Sequence, residues 1–434
     1  MTLGKTNEFL KKYQLLADNI DAVGCVESFV QEMNKGLTSE GSSLAMIPTY
    51  IGESCSPPKN RTITVIDAGG TNLRVANVHF DDEAKPTIKD LSKYPMLGTQ
   101  GKLNKEAFFE GLASYVLPVI GDNDSIGFCF SYAVAMESNG DGRLLHFCKE
   151  VEVDGVAGEL IGKNLVDALR KKGYTGKGNI VILNDTVTTL LSGMASKATQ
   201  TNSSYLGCIL GTGLNTCYIE PTSGIDKLDQ STFSDTGMVI NCETGDYNKI
   251  PRSDLDKAFD ATTMNEGDYM LEKCISGAYL GGLCLMAIKQ AAKDGLFSDY
   301  AKGILAETKT LETYQVSELL EGTPSMQNPM IKCLENSDDA ERILAIIDAV
   351  VERAALYAAI SWIAVVMKSG KGENPDAPVC ITVEGTTFYK LYGLKERVIK
   401  YLDQLLVDYY KRYYTLANID DATLIGSAIA GAMF

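Results

Sequence analysis

A chain of 434 residues exceeds what one hydrophobic core usually organises, and its formal net charge of −16 argues against general nucleic-acid binding, which asks for a basic face. The apolar fraction of 45% can build a core without staples. Eleven scattered cysteines, none in a CxxC pair, with only His79 and His146 beside them, fit reduced thiols in a cytosol better than a disulfide framework or a zinc site. The first residues lack the apolar centre of a secretory signal. The longest apolar run, Ala354 to Met367, is about 14 residues, too short to span a bilayer, and predicts a buried core helix.

Residues 1–45 predict helices, with Val26, Phe29, Val30, Met33 and Leu37 at a 3.6-residue period and Gly36 as a stop. Ser56-Pro57-Pro58-Lys59-Asn60 breaks that pattern. A strand, Thr62 to Ile66, then enters the turn Asp67-Ala68-Gly69-Gly70-Thr71-Asn72, and a second strand leaves it at Leu73 to Phe80. Residues 158–173 predict an amphipathic helix. Ile180 to Leu183 is a short buried strand ending at Asn184-Asp185, after which helical spacing resumes. Tyr205 to Leu210 enters Gly211-Thr212-Gly213 and leaves as Asn215 to Ile219, again strand–turn–strand. The two glycine hairpins lie about 140 residues apart, which suggests two similarly built halves rather than a short-period array. Residues 255–365 are mostly helical, Val379 to Val383 is a strand, and Thr423 to Phe434 is one short final helix. Strands alternating with helices in both halves predict an α/β fold.

The first hairpin has the chemistry of an anion site. Glycines let backbone amides approach closely, Thr71 and Asn72 add donors, Arg74 adds a fixed positive charge, and Asp67 can hold Mg²⁺ directly or through water. The bland alternative is an ordinary tight turn with Asp and Asn as turn formers, and the anion site is the favoured reading. No Walker loop occurs, and Gly211-Thr212-Gly213 fails as a dinucleotide fingerprint because Thr216 stands where a third glycine belongs and a strand follows. Asp185, where a strand meets a helix, is either a helix N-cap or a general base for an attacking hydroxyl. Glu243, Glu272 and Lys149, each taken alone, read as surface residues.

Taken in order, these segments resemble the hexokinase family over nearly the whole chain. Met46-Ile47-Pro48-Thr49 is similar to its entry segment, and VIDAGGTNLRV at 65–75 to its first phosphate motif. Gly127-Phe128-Cys129-Phe130-Ser131 and Lys149 are similar to its sugar segment, and Asn184-Asp185-Thr186-Val187 to its catalytic segment. ILGTGLNTCY at 209–218 is similar to the second phosphate motif. Asn241 to Gly245, EKCISGAYLG at 272–281, and Val383-Glu384-Gly385-Thr386, similar to the adenosine motif, follow in order.

The resemblance implies ATP- and Mg²⁺-dependent phosphorylation of a hexose, glucose foremost, at its 6-hydroxyl. It implies Asp185 as the base and Lys149 as a cation that steadies transferring charge and touches the sugar. Ser131, Asn184, Asn215, Glu243 and Glu272 would bind sugar hydroxyls, and Asp67 would hold Mg²⁺ through its waters. Gly69, Gly70, Thr71, Asn72, Arg74, Gly211, Thr212 and Gly213 would contact phosphates. Thr313, Ser317, Gly385 and Thr386 would lie on the donor side. The implied fold is two actin-like, ribonuclease-H-like lobes around a central cleft, each a mixed sheet flanked by helices. The small lobe would be 61–185 with the helix 423–434, and the large lobe 1–60 and 186–422. The implied partners are a hexose and a nucleotide, without nucleic acid or membrane, for a cytoplasmic monomer or homodimer. A sugar sensor with reduced catalysis is the alternative. The chain departs from the family at Tyr132-Ala133, Cys148 and Thr244, and at Asp421 to Gly426, where the family has a glycine-rich loop.

Overall fold

The computed structural model describes residues 2–38, 40–147, 151–195, 201–229, 231 and 233–433. Two sheets organise it. The strands are β1 (Ile47–Gly52), β2 (Arg61–Ala68), β3 (Asn72–Phe80), β4 (Pro86–Pro95), β5 (Ser125–Phe130) and β6 (Asn179–Leu183). They continue with β7 (Ser204–Leu210), β8 (Leu214–Pro221), β9 (Gly237–Asn241), β10 (Val379–Glu384) and β11 (Tyr414–Ala417). The first sheet has the order β6-β5-β2-β3-β4, the second β1-β9-β8-β7-β10-β11.

The pairing senses repeat. In the first sheet β6, β5 and β2 are parallel, and β3 and β4 add antiparallel. In the second, β11, β10 and β7 are parallel, and β8 and β9 add antiparallel, with β1 as an extra antiparallel edge. Each half therefore carries one glycine hairpin at the same place in its sheet, β2–β3 and β7–β8, as the sequence suggests.

The helices used below are α1 (Thr2–Lys12), α2 (Ala22–Gly36), α3 (Lys105–Ile120), α4 (Ile161–Lys171), α5 (Asp185–Ala195), α6 (Ser337–Ser369) and α7 (Ala422–Gly431). Helices α3 and α4 bury Phe108, Leu112, Leu165 and Leu169 against Ile66, Ile126 and Phe128 of the first sheet. On the second sheet, α2 and α6 share a larger core. The apolar run at 354–367 lies inside α6, a helix of 33 residues whose middle is buried in protein. No helix among the described residues is long and apolar enough to cross a membrane.

A third core fills the space between the sheets. There α5 contributes Val187, Leu190 and Leu191, and α7 contributes Leu424, Ala428 and Ile429. They pack on Ile63, Val65 and Leu183 from one side and Cys217 and Val239 from the other. The fit is close enough to need glycine. A Cβ on Gly426 would overlap the Thr188 carbonyl of α5, and one on Gly127 of β5 would overlap the Ser427 carbonyl of α7. The ten described cysteines are all buried and unpaired.

Candidate active site

The first hairpin is gripped by charge. Asp67, at the end of β2, and Arg74, in β3, are direct cross-strand partners. Arg74 Nε and Nη2 donate to Asp67 Oδ2 at 2.9 and 2.6 Å, and Thr423 Oγ donates to the same oxygen at 3.1 Å. Asp67 Oδ1 has no hydrogen bond among the described residues. At the tip, the Gly69 amide donates to the Asn72 carbonyl at 3.0 Å, and Asn72 Nδ2 donates to Thr71 Oγ at 3.0 Å. Gly69 and Gly70 are half-buried, whereas Thr71 and Asn72 are exposed.

Backbone grips the second hairpin. The Gly211 carbonyl accepts from the Gly277 amide and from Thr387 Oγ, both at 2.8 Å, and the Thr212 carbonyl accepts from the Ala278 amide at 3.2 Å. The Gly211 amide donates to the Gly213 carbonyl at 3.0 Å. Gly385 lies against this turn with φ +123, a conformation L residues rarely adopt, and a Cβ there would sit 2.6 Å from the Gly211 nitrogen. Thr313 ties in from below: its hydroxyl donates to the Gly277 carbonyl at 2.7 Å and accepts from the Gly281 amide at 3.0 Å. Ser317 Oγ donates to the Lys390 carbonyl at 3.1 Å and accepts from the Tyr392 amide at 2.9 Å. Thr386 is exposed and opens the helix Thr386–Lys390. Thr313, through Gly277, and Gly385 thus abut the second hairpin, and Ser317 binds the end of the helix that Thr386 opens.

Between the hairpins lies a chain of amides and carboxylates. Helix α5 begins at Asp185. Asn184 occupies the cap position, its Oδ1 accepting from the Thr186 amide at 2.9 Å and the Thr186 hydroxyl at 2.6 Å. The capping role that local sequence allows for Asp185 therefore belongs to its neighbour. The Asp185 carboxylate itself accepts from the Thr186 amide at 2.9 Å. Asn215 Nδ2 donates to Asn241 Oδ1 at 2.8 Å and to Asn184 Oδ1 at 3.4 Å, and Asn241 Nδ2 donates to Glu243 Oε1 at 2.7 Å. Glu272 joins from its own short helix, where its Oε2 accepts the Leu214 amide at 2.8 Å.

Glu243 is held in the left-handed region, φ 56 and ψ 54, two residues after the end of β9. Such a backbone costs about 1–3 kcal/mol for a residue with a Cβ and persists where the surroundings impose it. Burial, reinforced by the charges of Asp185, Asp246 and Glu272 and opposed by the Asn241 amide, pushes its carboxyl up to about 7. Burial also pushes the Cys129 thiol well up, with the charges of Asp67 and Asp185 adding to it, so this one sulfur lies within the field of both hairpin and helix carboxylates.

A pocket with about 340 Å³ of open space, its mouth included, sits at this corner. Its apolar wall includes Ile47, Val134 and Ile182, and its polar side is Asn184, Asn241 and Glu243. Ser131 lies at the end of β5, its amide donating to the Ala68 carbonyl at 3.2 Å and its hydroxyl 3.9 Å from Cys129 Sγ; it does not line the pocket. Lys149 lies outside the described residues. Two residues emerge that sequence reasoning missed. Asn241 ends β9 and links Asn215 to Glu243, which follows two residues later in left-handed backbone outside the strand, so strand alternation does not announce the contact. Tyr132, which the sequence marks only as a departure from the family, lines the pocket and donates its hydroxyl to the Gly69 carbonyl at 2.8 Å, joining pocket to hairpin.

Comparison with known proteins gives one answer. Two family models, each described as hexokinase, match residues 5–195 and 205–433. Hexokinase-1 of Schizosaccharomyces pombe is 29% identical over 94% of this chain and 86% of its own length. Among solved structures, a hexokinase from Schistosoma mansoni complexed with glucose superposes over 100% of both chains, with a TM-score of 0.81 at 22% identity. A ROK-family glucokinase from Streptomyces griseus, in complex with glucose and AMPPNP, covers 86% of this chain with a TM-score of 0.50 at 15% identity. The fold expected from the sequence, mixed sheets flanked by helices in the actin-like arrangement, is the fold these structures share.

Proposed function

The chain belongs to the hexokinase family, and we propose that it transfers the terminal phosphoryl group of ATP to the 6-hydroxyl of a hexose, glucose foremost. One observation carries the reading: Asp185, Glu243 and Glu272 interact at a corner where the Asn184–Asn215–Asn241 chain ends, between two glycine hairpins. A polyol needs such a mixed set of acceptors and donors. The Glu243 carboxyl, pushed up to about 7, can serve as either near neutral pH.

In this reading the sugar lies against Asn184, Asn215, Glu243 and Glu272, and Ser131 and Lys149, both of the proposed small lobe, also contact it. Asp185 accepts the proton of the 6-hydroxyl as its oxygen attacks the terminal phosphorus, and the nucleoside diphosphate leaves. Lys149 offsets charge on the group in transfer. Gly69, Gly70, Gly211, Thr212 and Gly213, with Thr71, Asn72 and Arg74, contact the phosphates. Thr313, Ser317, Gly385 and Thr386 flank the nucleoside.

Magnesium fits this donor set in one way. Among the described residues no group of three or more His, Cys, Asp or Glu could hold a metal. Asp67, with one oxygen spoken for and Oδ1 unbonded, suits an ion that arrives on the phosphates and keeps its waters. Bound there, the ion would neutralise phosphate charge.

The proposed small lobe is 61–185 with the final helix, and the large lobe is 1–60 and 186–422; pairing of β1 into the second sheet supports assigning the N-terminal segment to the latter. Buried, unpaired cysteines support a reducing compartment, so the proposed location is the cytoplasm.

Asp185→Asn tests the reading. Asparagine still accepts the Thr186 amide, so stability should change by about 1 kcal/mol or less. It cannot take a proton, so kcat should fall by roughly 10²–10⁴-fold while glucose binding persists. Calorimetric sugar titration, melting temperature and kcat on one variant decide it. A kcat within about threefold of wild type would remove Asp185 from the mechanism. A wild-type protein that binds glucose but phosphorylates no hexose with any nucleotide would be a sensor.

A further inference from the structure

Arg74 carries the fixed positive charge of the first hairpin, yet in this structure its guanidinium is already occupied. Besides the two bonds to Asp67, Nη1 donates to Asp421 Oδ1 at 2.8 Å and Nη2 to Thr423 Oγ at 2.7 Å. Two carboxylates therefore share one arginine. They are not equally placed, the Asp67 side chain being 13% exposed and that of Asp421 40%.

Asp421 belongs to another part of the chain, at the entry to α7. Its backbone is left-handed, φ 54 and ψ 35, which is costly for a residue with a Cβ. Residues there usually justify themselves by capping the helix that follows, but the Asp421 side chain makes no capping bond. The carboxylate turns to Arg74 instead. Helix α7 is fixed by its seam with α5 and β5, so the entry holds its position.

We propose that the Arg74–Asp421 ion pair is a latch on the donor side: the donor's phosphate displaces the Asp421 carboxylate from Nη1 while Asp67 keeps its hold on Nε and Nη2. The proposal rests on reading hairpin 67–74 as a donor-phosphate site. Asp421 then sets donor affinity by competing for the arginine, and donor binding exchanges one anion for another on the same guanidinium.

Asp421→Asn is the test, because asparagine tolerates the left-handed backbone and keeps the size but removes the charge. The dissociation constant of Mg-ADP by calorimetry, and KM for Mg-ATP, should both fall by roughly two- to fivefold, the scale of losing a partly exposed competing ion pair. KM for the sugar should stay put. The difference from wild type should shrink as NaCl rises from about 50 to about 500 mM, since screening weakens the competing pair. Asp421→Glu, which keeps the charge, should bind Mg-ADP like wild type. Unchanged or weaker Mg-ADP binding by Asp421→Asn overturns the latch and makes the pair a mere tether. A wild-type protein that binds no Mg-ADP at all overturns the donor-site reading itself, and the latch with it.

Discussion

The two glycine hairpins occupy the same place in two sheets of the same pairing pattern, yet they are secured by different physics. Hairpin 67–74 is tied by Arg74 to two carboxylates, with an exposed tip. Hairpin 210–214 is tied through backbone groups, with one hydroxyl from Thr387 and one carboxylate from Glu272. Ion pairs at a partly exposed site respond to salt and to competing anions. Backbone bonds carry no net charge and respond little to either, but they bring Gly277 and Gly385 too close to the turn for a side chain. One hairpin is built to be adjusted, the other to be immovable.

Gly385→Ala should break the immovable side hardest. The added Cβ meets the Leu210 carbonyl and the Gly211 nitrogen at a φ of +123, so a loss of about 3 kcal/mol is expected from urea unfolding. A loss under about 0.5 kcal/mol, the range of a neutral surface change, would show that the turn yields easily.

The next largest effect concerns the one strongly perturbed carboxyl beside the second hairpin. Glu243 titrates near 7 in the folded chain and near its ordinary 4.5 when unfolded. The folded state therefore binds the proton more tightly, and this stabilisation is full below about 4.5 and is lost as pH rises through about 7. The melting temperature of sugar-free protein should decline across that window, and Glu243→Gln should flatten the decline. Parallel slopes for the two proteins would exclude Glu243 as its source.

The smallest effect sharpens the contrast. Thr387→Val removes the hydroxyl bond to the Gly211 carbonyl, which keeps its bond from Gly277, so about 1 kcal/mol is expected. The loss should be the same at low and high salt, unlike any change at Arg74. A salt-dependent loss would mean that charge matters on this side too.

What the sequence disclosed follows the range of the interactions. Both hairpins, β6 with α5, the helical stretch 255–365 and the final helix were legible because glycine turns, short apolar runs and helical spacing are local signals. Strand β4 was not, because it is an exposed edge carrying Lys89, Asp90, Ser92 and Lys93 with little alternation to read. Strand β1 was seen only as a motif, since Pro48 speaks against a strand; it survives at an edge, beside a bulge. Among site residues, Asn184, Asn215 and Glu243 are joined through Asn241. The bond of Tyr132 to Gly69 and the grip of Asp421 on Arg74 join positions far apart along the chain, and the link of Asn241 to Glu243 depends on the backbone turning out of the strand after β9, so none had a local signature.

The glycine seam of α7 also has a consequence for the order in which the molecule can be made. The strands β2 and β5 and the helix α5 leave the ribosome hundreds of residues before α7 does, yet α7 fills the slot between them. Until it arrives, Ile63, Val65, Leu183 and Leu190 lack their cover, and Arg74 lacks Asp421 and Thr423. A nascent chain therefore carries Asp185 long before it can hold it still. Such an open apolar slot is what chaperones bind and what leads to aggregation. Synthesis of α7, rather than of α5, is the moment at which the space between the two sheets can close.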